Sequence, residues 1–249
     1  MNRLSVVIIT KNEESNLERC LKSIKNLASE IIIVDAFSTD STIKICKNYD
    51  CKIFQKEWKG FGIAKKFAVE QSENEWVLSI DADEEVTESL SEKIKSILAD
   101  PKFNIYKIKR KSFFLGKEIK HCGWDRDYPK RLFNKKFGNF NSDTVHESVI
   151  MEGERGKIES PIFHYTYPTI KSFVNKMNLY SELNAEKLFY KGRKVTIISS
   201  IFYGCIRFIK MFFFDLGFLD GKKGFILCTI TSYGVFLKYI KLWSKHNSE

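Results

Sequence analysis

Asp81-Ala82-Asp83 places two carboxylates one residue apart, at the end of the apolar run Trp76-Val77-Leu78-Ser79-Ile80. Such a run, bounded by polar residues, predicts a core strand. Side chains alternate along an extended backbone, so residues at i and i+2 point the same way. Asp81 and Asp83 are then expected to aim at one point. Two like charges that close repel unless a hard cation sits between them. Mg²⁺ and Mn²⁺ take oxygen ligands and commonly bring a phosphate, so the pair predicts a metal–diphosphate site at a sheet edge. D-x-D is a short pattern, and its alternative is a solvated acidic loop favouring the N-terminus of the next helix.

The elements around this pair place it more firmly. Residues 4–9 form an apolar first strand, and Ile31-Ile32-Ile33-Val34 a second, ending at Asp35. Lys52-Ile53-Phe54 is a short third strand and 76–80 the fourth. Between them Leu17, Leu21, Ile24 and Ala28 recur at helical spacing, behind Ser15-Asn16-Leu17-Glu18 with capping-box spacing. Asp40 caps a helix carrying Ile43 and Cys46, and residues 62–72 form another. Alternating strand and helix predicts an α/β fold: a Rossmann-like, mostly parallel sheet with helices on both faces. Ligands of such sheets bind beyond the carboxyl ends of the strands. Thr10-Lys11-Asn12-Glu13, the stretch from Asp35 to Asp40, and Asp81-Ala82-Asp83-Glu84 all fall there. No G-x-G-x-x-G follows the first strand, which argues against a dinucleotide cofactor.

A helix over about 88–98 closes this half. Residues 105–121 alternate around Leu115-Gly116-Lys117 and predict a hairpin. Residues 122–150 are polar and aromatic, the kind of stretch that grips a substrate. Ile162-Phe163-His164-Tyr165 reads as a strand, and Pro168 opens a helix reaching about Tyr190 with Ile170, Phe173, Val174, Met177 and Tyr180 on one face.

The chain has 249 residues, 43% of them hydrophobic, enough for a core and too many for a disordered chain. Its six cysteines form no C-x-x-C pair, which argues against zinc and a disulfide framework. Met1-Asn2-Arg3 leads directly into the first strand, so no signal peptide is expected and the protein reads as cytoplasmic. Net charge is +10, and residues 171–249 carry 13 Lys and Arg against 5 Asp and Glu. In that tail, residues 195–206 and 224–237 hold no charge and fall short of a bilayer span. Aromatic and apolar faces flanked by Lys and Arg predict amphipathic helices lying on a membrane surface, with packing on the core as the alternative. The aromatics come in blocks, which argues against nucleic acid.

Taken together, the sequence resembles glycosyltransferase family 2, with the GT-A fold, and within it the bacterial lipopolysaccharide core glycosyltransferases. The likeness rests on Ser5-Val6-Val7-Ile8-Ile9-Thr10-Lys11-Asn12-Glu13-Glu14, Val34-Asp35 with Ser38-Thr39-Asp40, Gly60-Phe61-Gly62 and Ile80-Asp81-Ala82-Asp83-Glu84. It continues through Ser112-Phe113-Phe114-Leu115-Gly116, Gly123-Trp124, Arg131-Leu132-Phe133, Val145-His146-Glu147, His164-Tyr165-Thr166-Tyr167, Lys176-Met177-Asn178 and Gly217-Phe218-Leu219-Asp220-Gly221. The resemblance implies a GT-A domain over 1–190, split into a nucleotide-binding half (1–100) and an acceptor-binding half (101–190), with a membrane-association segment over 191–249. It implies inverting transfer of a hexose, such as glucose, from a nucleotide-diphosphate sugar, foremost a UDP-sugar. The acceptor would be a lipid-linked saccharide at the inner face of the cytoplasmic membrane.

Thr10, Asn12 and Glu13 would line the nucleoside pocket, and Asp35 would accept a hydrogen bond from the base or else cap a turn. Asp83 would bind a divalent cation, Mn²⁺ or Mg²⁺, with Asp81 serving that cation or the ribose and His164 completing its shell. Glu147 would be the general base, with Asp143 and Asp127 as rivals. Arg131 and Lys65 or Lys66 would contact the diphosphate or an anionic acceptor. Phe37 stands where relatives usually have Gly, and Lys65-Lys66 where they show Gln, a cation and Asn. Competing readings are a nucleotidyltransferase, which would open with a Gly-rich loop that Thr10–Glu14 lacks, and a catalytically inactive membrane-docking module.

Overall fold

Every residue of β1 (Leu4–Thr10) is buried, as a strand covered on both faces requires. The computed structural model describes residues 2–141 and 147–247. Strand and helix alternate through α1 (Leu17–Ile24), β2 (Glu30–Asp35), α2 (Thr42–Lys47), β3 (Lys52–Gln55), α3 (Phe61–Glu70) and β4 (Trp76–Asp81). β1 pairs in parallel with β2 and β4, and β2 with β3. There follow β5 (Glu84–Val86), α4 (Glu88–Ala99), β6 (Ile105–Phe114), β7 (Lys117–Glu118), β8 (Lys130–Asn134), β9 (Asn139–Phe140), β10 (Val149–Ile150) and β11 (Gly156–Tyr167). The large sheet runs β3-β2-β1-β4-β8-β6-β11-β5, with β7 on β6. Its parallel half continues antiparallel from β8 onward, where β8 pairs with β4 and β6, and β11 with β5.

Alternation along the strands divides the core. Val6, Ile8, Ile33, Leu78 and Ile80 pack with Leu17, Leu21, Leu90 and Ile94 of α1 and α4. Val7, Ile9, Ile32, Val34 and Val77 face the other way, onto Ala68 and Val69 of α3. Local signals mostly hold. Asp40 Oδ1 accepts from Thr42 N at the start of α2 (2.9 Å), and Thr87 Oγ1 accepts from Leu90 N in α4 (3.2 Å). The box expected at Ser15 does not form. α1 starts from Asn16 without a side-chain cap, and the Glu13 carbonyl takes the Asn16 and Leu17 N–H groups (3.0 and 2.9 Å).

The chain forms two compact units, one of Met1–Arg110 with Tyr128–His164 and one of Lys111–Asp127 with Tyr165–Glu249. The second holds the β6–β7 turn, α5 (Ile170–Tyr190), α6 (Ile197–Ile209), a π-helical turn (Lys210–Phe214), a 3-10 turn (Gly217–Asp220) and α7 (Gly221–Asn247). Thr169 with Ser172, and Thr196 with Ser199, form the capping boxes of α5 and α6. α7 packs against both α5 and α6, over a core of Phe114, Cys122, Tyr167, Phe173, Met211 and Leu227. On the expected apolar face of α5, Phe173 is buried while Ile170 and Val174 are exposed. Ser200 and Gly204 are the buried residues of α6, whereas Ile198 is 81% and Phe202 63% exposed. Residues Ile197–Phe214 and Gly217–Asn247 are long and apolar enough to cross a membrane by length and composition. They exceed the charge-free runs seen in the sequence because each helix continues through its flanking cations.

Candidate active site

The carboxyl end of β4 gathers an ion-pair network. Lys65, from α3, sets its Nζ 2.8 Å from Asp81 Oδ1 and 2.8 Å from Glu147 Oε1. Arg131 stands one residue from Leu132, which pairs with Leu78 across β8 and β4. That register brings its Nη2 to Asp81 Oδ2 and, at 2.6 Å, to Glu84 Oε1. Glu84 is fully buried; its other oxygen accepts from Asp81 N (2.9 Å), and Arg110 Nη1 lies 3.4 Å from Oε1. Desolvation alone would raise the Asp81 pKa, but Arg131 and Lys65 outweigh it and hold the carboxyl well below the usual carboxylate range. Burial would likewise lower the Arg131 pKa, and Asp81 and Glu84 raise it instead.

Asp81 and Asp83 do not share a target. Ala82 and Asp83 form a turn between β4 and β5, so the extended alternation assumed for the pair stops at Asp81. Asp81 gives both oxygens to the cations. Asp83 Oδ2 lies 3.3 Å from His164 Nε2, because β11 runs antiparallel to β5 with His164 opposite Glu84. Among the described residues no three His, Cys, Asp or Glu side chains cluster as a metal cage. One carboxylate oxygen and one imidazole nitrogen at this spacing still fit a single divalent cation that takes its other ligands from phosphate and water.

A second network ties β1 to β2. Asp35 is fully buried and accepts from Thr10 Oγ1 (3.0 Å), Ser38 N (2.9 Å) and Gln55 Nε2 (3.3 Å). Asn12, at φ +56°, accepts from Thr39 N through Oδ1 and donates its own N–H to Ser38 Oγ, both at 2.8 Å. Glu13 accepts from Asn16 Nδ2 (3.0 Å). Asp35 thus caps the turn after β2. Phe37 sits at φ +54°, in the left-handed region that glycine enters most easily. Beside it a cleft of about 500 Å³ is lined by Ala36, Phe37, Gln55, Trp58 and Phe67. A second cleft of about 400 Å³ is lined by Lys65, Asp81, Arg131 and Glu147, together with Lys107, Lys130, Tyr128 and Phe140.

The structure thus joins Lys65, Asp81, Arg131 and Glu147 in one network, Asp83 with His164, and Thr10 with Asn12 and Asp35 in another. Asp127 belongs to the second unit, and Asp143 lies outside the described residues, with Val145 and His146. Sequence reasoning missed Glu84 as an organiser of the site. Its signal was an acid directly after D-x-D, which becomes meaningful once β5 is known to pair with β11.

Carboxylates at the strand ends of a parallel half-sheet that continues antiparallel stand where α/β enzymes bind their ligands. The chain belongs to glycosyl transferase family 2, whose family model matches residues 5–153. It is 35% identical to an uncharacterized glycosyltransferase of Rickettsia typhi, over 97% of this chain and 87% of that one. It is 28% identical to the lipopolysaccharide core biosynthesis glycosyltransferase LpsC of Rhizobium meliloti, over 98% and 93%. Superposition on S. aureus TarS 1-349 gives a TM-score of 0.49 at 14% identity, covering 99% of this chain and 92% of that one.

Proposed function

We propose that the protein is an inverting, divalent-cation-dependent glycosyltransferase that moves a hexose from a UDP-sugar to a lipid-linked saccharide of the lipopolysaccharide-core kind. The observation that carries this reading is the convergence of Asp83 with His164 beside the Lys65 bridge between Asp81 and Glu147. Asp83 and His164 would hold Mn²⁺ or Mg²⁺, which when bound supplies Lewis-acid neutralisation of the departing diphosphate. Thr10, Asn12 and Glu13 line the nucleoside pocket, and Asp35 fixes its floor. Asp81 faces the ribose, kept ionised by Arg131 and Lys65. Glu147 takes the proton of the attacking acceptor hydroxyl, and Lys65 orients it. Similarity to LpsC along nearly the whole chain supports the acceptor class.

Residues 1–190 supply the transferase and 191–249 the contact with the inner face of the cytoplasmic membrane. Support comes from the outward Ile and Phe side chains of α6, flanked in sequence by Lys191, Arg193, Lys194, Arg207 and Lys210.

Hydrolysis of UDP-glucose and transfer to core saccharide, assayed with Mn²⁺, test the reading. Asp83→Ala is expected to lower both by about 100-fold or more. Glu147→Gln is expected to lower transfer by at least about 100-fold at unchanged donor affinity. Full activity in Asp83→Ala contradicts the cation role.

A further inference from the structure

The network at β4 pairs cations with carboxylates among the described residues. Lys65, Arg110 and Arg131 face Asp81, Glu84 and Glu147, three cations against three carboxylates. Two further cations line the same 400 Å³ cleft, Lys107 and Lys130. Neither has a carboxylate partner among the described residues. They are cross-strand partners, Lys107 on β6 directly opposite Lys130 on β8. Like charges in that position destabilise a sheet. The ladder shifts register between Tyr106 and Lys107, and such bulges re-aim side chains beside active sites. Lys130 Nζ is held by the Val149 carbonyl (2.7 Å). Burial, with Arg155 and Lys107 nearby, pulls the Lys130 pKa down from its usual value. Tyr128 and Phe140 supply aromatic walls to the cleft.

We propose that Lys107 and Lys130 bind an oxyanion carried by the acceptor saccharide, a phosphate monoester or a carboxylate. The proposal rests on the transferase reading and adds to it the chemistry of the acceptor. An oxyanion between the two ammonium groups relieves their repulsion and gains charge-assisted hydrogen bonds. It also brings the acceptor's sugar ring against Tyr128 and Phe140, in the cleft that holds Glu147.

Calorimetry on the full chain tests this with four probes: UDP with Mn²⁺, glucose 6-phosphate, glucuronate and glucose. The wild type is expected to bind at least one anionic sugar, and which of the two it prefers assigns phosphate or carboxylate. Neutral glucose is expected to bind at least about tenfold more weakly. Lys107→Gln with Lys130→Gln is expected to weaken the anionic sugar by about tenfold or more, and UDP by less than about twofold. Its thermal midpoint is expected to hold or rise, since two opposed cations are gone. Anionic sugars that fail to bind the wild type, or bind the double variant equally well, overturn the proposal. So does glucose binding as tightly as its phosphate. Parallel loss of UDP binding also overturns it, by giving the lysines to the donor diphosphate. A wild type that binds no UDP counts against the donor reading itself, and that outcome is separable from the others.

Discussion

Arg131 and Lys65 together hold Asp81 ionised far below its ordinary range, and this has a consequence for stability. An unfolded Asp titrates near about 3.9. A folded pKa below that value means stability present above about pH 4 and lost as pH falls through the folded value. Asp81→Asn is therefore expected to cost about 2 kcal/mol in urea melts at pH 7, with the gap to wild type narrowing as pH falls below about 4. A gap that widens in acid would contradict the assignment. Arg131→Leu is more severe, at about 3–5 kcal/mol, since it leaves the fully buried Glu84 with Arg110 at 3.4 Å in place of Arg131 at 2.6 Å. The carboxylates themselves were legible in the sequence because D-x-D at a strand end is a local pattern. The pairing of Asp81 with Lys65 and Arg131 was not. Lys65 and Arg131 reach Asp81 from 16 and 50 residues away, and only sheet register sets that meeting. The turn at Ala82 and Asp83 likewise separated two side chains that local alternation had aimed together.

At the scale of elements, the first four strands and their helices were readable because each is a continuous apolar run between polar strand ends. β5 was not: three residues after a D-x-D turn carry no period of their own, and β5 exists through its pairing with β11. That pairing is what delivers His164 to Asp83. Phe37 shows how a residue-level anomaly becomes an element-level fact, since the turn after β2 needs a positive φ whatever side chain stands there. In the second unit, the start of α7 approaches the 3-10 turn so closely that a Cβ on Gly224 would lie 2.1 Å from the Gly217 carbonyl oxygen. Backbone must move to admit it. Gly224→Ala is expected to lower stability by about 1–3 kcal/mol in denaturant melts, and an unchanged midpoint would contradict this packing.

For the whole molecule, charge and exposure are concentrated in one stretch. The last 79 residues carry most of the net positive charge, and α6 turns its apolar side outward while burying Ser200 and Gly204. A soluble helix does the reverse. Sequence composition showed the aromatic and basic content of the tail. Which helix carries the outward face depended on α7 lying between α5 and α6, a matter of tertiary order. Ile198→Asp with Phe202→Asp is expected to abolish co-sedimentation with anionic phospholipid vesicles and leave hydrolysis of UDP-glucose intact. Vesicle binding equal to wild type would remove α6 from the membrane contact.

Calorimetric titration of UDP into the full chain with and without Mn²⁺ tests most directly the proposed cation-assisted nucleotide-sugar site at the strand ends. UDP is expected to bind at least about tenfold more weakly without Mn²⁺ and in Asp83→Ala. UDP binding of equal strength without Mn²⁺, retained in Asp83→Ala, would contradict it.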